Sequence, residues 1–162
     1  MRESSRAAEA RKLFEQGKID DADAVLNEES LEYESQYLLE QEHRIEQEQV
    51  AHNQRRFNLA MEYVLKAKFK LLQIKDVERF SKADALFEEA TQVSRAPQVL
   101  YEYAKYLTVL RESCREVDLA GKAIELLNEA IENISDTSED EKNAILELLD
   151  LCHARQVEFK GN

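Results

Sequence analysis

The chain has 162 residues, enough for one domain with a substantial core. Three Gly and a single Pro leave little turn chemistry for sheets, while Ala, Leu, Glu, Gln and Lys, all strong helix formers, dominate. An all-α fold is predicted, and the net charge of −12, from 22 basic and 34 acidic residues, argues against a nucleic-acid or anionic-membrane surface.

No apolar run approaches the roughly 20 residues that a membrane span needs, and the first residues carry no signal pattern. Cys114 and Cys152 are too few for a disulfide framework and sit in apolar helical contexts, so both are expected as buried free thiols. A reducing, cytoplasmic setting is the expectation that follows.

In chain order, residues 2–16 read as a helix with the apolar stripe Ala7, Ala10, Leu13 and Phe14, ended by Gly17. A second helix starts near Ile19 or Asp20 and is expected to bury Ala22, Val25, Leu26 and Tyr33. Between residues 28 and 48 eight Glu stand against Arg44, a net −7; between 55 and 75 six Lys and Arg stand against Glu62, a net +5. Opposite signs on adjacent helical segments predict a break near 51–54 and an antiparallel hairpin. Single exposed pairs contribute only a few tenths of a kcal/mol. Burial of Leu31, Leu38, Leu39 and Ile45, at roughly 1.5–3 kcal/mol for each fully buried side chain, would supply most of the drive. The competing reading is one unbroken helix from about 19 to 75, since neither Gly nor Pro marks a turn.

Residues 57–74 form a strongly apolar helix through Leu59, Ala60, Tyr63, Val64, Ala67 and Leu71, followed by a turn at 76–79. A helix over 80–94 comes next, and Ala96-Pro97 opens another in which 99–110 carry Leu100, Tyr103, Ala104, Leu107 and Leu110. Residues 113–116 are a polar break, 117–134 a helix, and 135–138 a loop. Ser138 and Glu141 have the spacing of a capping box before the last helix, 144–157. The count is about seven helices.

Two of these helices share a pattern. Residues 82–90, KADALFEEA, return as 122–130, KAIELLNEA, and a looser form, DADAVLNEE, stands at 21–29. Ala83, Leu86, Glu89 and Ala90 match Ala123, Leu126, Glu129 and Ala130 forty residues on. The small and large apolar positions fall on one helix face, where alanine lets a neighbouring backbone come close. Ala10 and Ala22 lie twelve residues apart with Gly17 between them.

This arrangement resembles the tetratricopeptide repeat, a helix–turn–helix unit, and Pro97 fits its repeat end. The forty-residue offset exceeds the usual 34 and looks like the longer variety found in kinesin-light-chain-like arrays and many bacterial repeat proteins. Ala67 to Ala83 and Ala104 to Ala123, sixteen and nineteen residues, depart from the pattern, as does 32–54. The resemblance implies stacked antiparallel helix pairs in a right-handed superhelix. Residues 1–50 would be a divergent first pair with an extended acidic helix, 55–95 the second, 97–134 the third, and 138–158 a last helix, cap or half repeat. Phe159-Lys160-Gly161-Asn162 is similar to the turn at Gln16-Gly17-Lys18 without its inner helix, so the chain is expected to be an excerpt of a longer protein; alternatively 144–157 is itself the cap.

For function, the resemblance implies a non-catalytic protein–protein interaction scaffold or adaptor. Its outer helices, 57–74 and 99–110, would line a concave groove for a peptide or partner helix. Lys66 and Lys70, one turn apart, with Tyr101, Lys105 and Tyr106, would make a basic and aromatic strip for an acidic peptide; alternatively the lysines pair with the acidic 28–48 segment. A second reading is a di-iron-like bundle using Glu40/His43 and Asp150/His153 at i, i+3, with Glu62 or Glu147 added, although Glu40 and His43 stand in a polar stretch. A third is structural self-association, a homodimer through the acidic helix. Cys152 and His153 are consecutive and point about 100° apart on a helix, and no Gly-rich phosphate loop is present. No enzyme, catalytic residue, cofactor or metal is therefore expected.

Overall fold

The structure is a computed structural model and describes residues 2–110, 119–134 and 138–161. Among these residues are seven α-helices and no strand: α1 Ser5–Glu15, α2 Ile19–Val25, α3 Glu28–Leu72, α4 Arg79–Val93, α5 Pro97–Lys105, α6 Leu119–Glu132 and α7 Glu139–Gly161. A π-helical segment, Tyr106–Leu110, continues α5. The chain divides into two units, Met1–Ala51 and His52–Asn162. The fold is all-α, as the helix-forming composition predicts.

In the first unit, α1 starts where the Ser4 hydroxyl accepts the Ala7 amide at 3.2 Å. It ends at Gly17, whose φ of 77° is open to glycine without a Cβ penalty. The Gly17 and Lys18 amides then reach back to the Phe14 and Leu13 carbonyls, each at 2.9 Å. α1 and α2 pack on one another with Ala10 and Ala22 buried between them. The predicted buried face of the second helix holds only at Ala22: α2 stops at Val25, Leu26 is exposed, and Tyr33 lies well out in solvent on α3. The reason is Asn27, whose side-chain oxygen accepts the Ser30 amide at 3.2 Å and starts a new helix there.

α3 runs without interruption through 51–54, so the predicted hairpin is not formed. The unbroken reading is the correct one for 28–72, with its start moved from 19 to the Asn27 cap. Ala51-His52-Asn53-Gln54 contains no residue that breaks a helix, and Gln54 bonds Asn58 one turn on at 3.0 Å. Leu31, Leu38, Leu39 and Ile45, the side chains that had to drive the fold-back, all remain exposed.

The second unit holds the main core. Ala60, Val64 and Ala67 of α3 meet Ala83, Phe87 and Ala90 of α4, Leu100 and Ala104 of α5, Ala123, Leu127 and Ala130 of α6, and Cys152 of α7. α5 packs against α6 and α6 against α7. Ala83, Ala90, Ala123 and Ala130, the four recurring alanines, have no exposed surface. Pro97 stands in the first turn of α5, where its missing N–H costs nothing. Before α7 the Glu141 amide donates to the Ser138 hydroxyl at 3.3 Å, half of the expected capping box.

The π-helical segment has a side-chain cause. Thr108 donates its hydroxyl to the Ala104 carbonyl at 2.7 Å, its oxygen lies 3.2 Å from the Cys152 sulfur, and its own carbonyl accepts from Arg155. Cys152 is a buried free thiol, as expected; Cys114 and the 113–116 break lie outside the described residues. α7 stays helical through Gly161, where the likeness to the Gly17 region had suggested a turn. Gln156, Glu158 and Lys160, alternating with Val157 and Phe159 ahead of Gly161, are helix formers that favour continuation.

Candidate partner-binding surface

Phe87 of α4, Tyr103 of α5 and Tyr106 of the π-helical segment are committed to the core before any partner arrives. Phe87 stacks on Tyr106 with ring centroids 4.6 Å apart and on Tyr103 at 5.3 Å. Tyr106 is fully buried and donates to Asp84 at 2.6 Å. It is therefore a core residue and not the surface contact that the sequence suggested; its hydroxyl finds an acceptor on α4 that a single-helix pattern cannot reveal.

Tyr103 donates to Glu88 at 2.5 Å, and Lys122 of α6 binds both that carboxylate and the phenol oxygen, the latter at 2.9 Å. The Lys122 hydrogen bond, then that of Tyr103, hold the Glu88 carboxyl below its ordinary range. Burial first, then Glu88, push the Tyr103 phenol up. Arg95, between α4 and α5, makes a two-pronged pair with Glu129 of α6. These are bonds between neighbouring helices, with every partner supplied by the chain.

The predicted lysines fare differently from one another. Lys66 and Lys105 are exposed with no carboxylate at ion-pair distance among the described residues, while Lys70 and Tyr101 are half-buried. Tyr101 lines a small apolar pocket with Pro97, Ala144 and Ile145. Lys68, which the sequence reading passed over, bonds Glu102 of α5 at 2.8 Å and so ties α3 to α5. Lys82 holds Asp76 at 2.6 Å in the turn before α4, and this bond first, then the Glu78 amide, lowers the Asp76 carboxyl.

Around Lys66 lies what the sequence reading missed. Leu65, Phe69 and Leu72 are 50, 56 and 75% exposed. At i, i+4 and i+7 they share one face of α3, opposite the one that buries Ala60, Val64 and Ala67. Lys66 and Lys68 border this face. The signal was present in the spacing, but a helix apolar on two sides does not say which side is inward.

Within the first unit, none of residues 28–51 of α3 is fully buried, and only Gln41 is half-buried. Leu31, Leu38 and Ile45 recur every seven residues there and are 39, 59 and 63% exposed. Glu34 is paired with Arg6 of α1 at 2.7 Å.

Of the metal-ligand candidates, Glu40, His43, Asp150 and His153 are all exposed, and His43 contacts Gln47 at 3.0 Å. Among the described residues no three His, Cys, Asp or Glu side chains come together as metal ligands would. None of the described helices is long and apolar enough to cross a membrane. No protein-family model, curated protein or solved structure matches this chain.

Proposed function

We propose that this chain is a non-catalytic protein–protein interaction module, a scaffold or adaptor that receives an acidic amphipathic segment on α3. One observation carries the reading: Leu65, Phe69 and Leu72 stand exposed along one face, among lysines, on a protein whose net charge is −12. Apolar side chains in line provide the burial, and local positive charge selects an acidic occupant. The Lys68–Glu102 pair sets α5 alongside, so Lys105, one turn beyond Glu102, extends the basic lining. By the likeness of 82–90 to 122–130, α4 and α6 would be equivalent members of a tetratricopeptide-like array.

The test is titration of the full chain with a synthetic acidic, leucine-bearing helical peptide, followed by amide NMR shifts. Shifts should cluster on residues 65–72, and Phe69→Ser should weaken binding about tenfold or more, since a buried Phe contributes about 1.5–3 kcal/mol and 1.4 kcal/mol is tenfold. Shifts elsewhere, or an unchanged Kd in the variant, would remove this surface from consideration.

A further inference from the structure

We infer that the acidic segment this face receives is residues 28–48 of a second copy of the chain. The inference rests on the binding face proposed above and names its occupant. Three properties of 28–48 match that face. The segment is already helical, carries a net −7, and has no fully buried residue within its own unit. Leu31, Leu38 and Ile45 share one side of the helix, about 10.5 Å from one to the next at 1.5 Å per residue. Leu65 and Leu72 have the same seven-residue separation, with Phe69 between them to fill the gap. Glu42 stands on that stripe between Leu38 and Ile45, at the place Phe69 takes between Leu65 and Leu72, and Glu46 lies one turn on beside Ile45, while Lys66 borders the receiving face.

Charge decides against the alternative of pairing 28–48 with itself, which would set −7 against −7, whereas the 55–75 stretch carries +5. Repulsion between two copies of net charge −12 is screened beyond about 8 Å at physiological ionic strength, so the local match governs once the faces meet. The contact joins two unlike surfaces. It is therefore heterologous, each copy giving one and receiving with the other, and assembly is not limited to a closed pair.

Sedimentation velocity of the full chain over a concentration series at physiological ionic strength is the test. The weight-average mass should rise with concentration. Glu42→Lys with Glu46→Lys, and separately Lys66→Glu with Phe69→Glu, should each weaken association at least about tenfold. A mixture of the two variants should regain it, because the first keeps an intact receiving face and the second an intact acidic stripe. All four positions are exposed, so helical content should not change. A wild-type chain that stays monomeric throughout, variants that still associate alone, or a mixture that fails to recover would each overturn the inference. If the chain stays monomeric while the synthetic acidic peptide still binds residues 65–72, only the choice of occupant falls. If neither binds, the receiving face falls with it.

Discussion

Ala83 and Ala123 have no exposed surface, while Ala85, two residues from the first, is exposed. Enlarging a buried alanine forces neighbouring backbones apart, so Ala83→Leu or Ala123→Leu should each lower stability by about 1–3 kcal/mol in urea denaturation. Ala85→Leu should stay within about 0.5 kcal/mol. At the same scale the Glu88–Tyr103–Lys122 group makes stability depend on pH at both ends. Glu88 sits below its ordinary value of 4.5, so its contribution is present above that value and lost as pH falls through the lower folded one. Tyr103 sits above its ordinary 10.0, so its contribution is present below 10.0 and lost as pH rises beyond it. Denaturation midpoints should be flat between those limits, and Tyr103→Phe should reduce the alkaline fall. An equal alkaline fall in that variant would mean other groups cause it.

α3 is the element where local and tertiary forces separate. Residues 60–67 are held by the core of the second unit, whereas 28–51 rest on helix propensity, the Asn27 cap and the Arg6–Glu34 pair. A helix without buried side chains opens locally at little cost. Hydrogen exchange on dilute protein should therefore be faster over 28–50 than over 60–71, and raising the concentration should slow it at 28–50 selectively. Uniform protection along α3 would contradict this division. The hairpin expectation failed here because charge totals on adjacent segments do not bend a helix. Bending needs a residue that stops the helix and apolar surface to bury on return, and 51–54 offers no such residue. The cap that starts α3 is legible in Asn27-Glu28-Glu29-Ser30, although it stands inside what otherwise reads as a longer helical pattern.

For the whole molecule, composition and periodicity were sufficient for an all-α chain and for alanines in the core, whereas the division of 19–72 into helices was not foreseen. These follow from the sequence because helix propensity and the 3.6-residue period are local properties, summed over each segment. Function was less legible. Lys66 and Lys105 were found at the surface as expected, but Tyr106 went to the core and Leu65, Phe69 and Leu72 came out. Which side of a two-sided apolar helix faces inward depends on the neighbours packed against it, as does the partner that each lysine or tyrosine finds. Those neighbours are remote in sequence: Phe87 and Asp84 for Tyr106, Glu102 for Lys68, Lys122 for Glu88. The residues alone settled what forms a helix, and only packing decided which apolar faces were left for a partner.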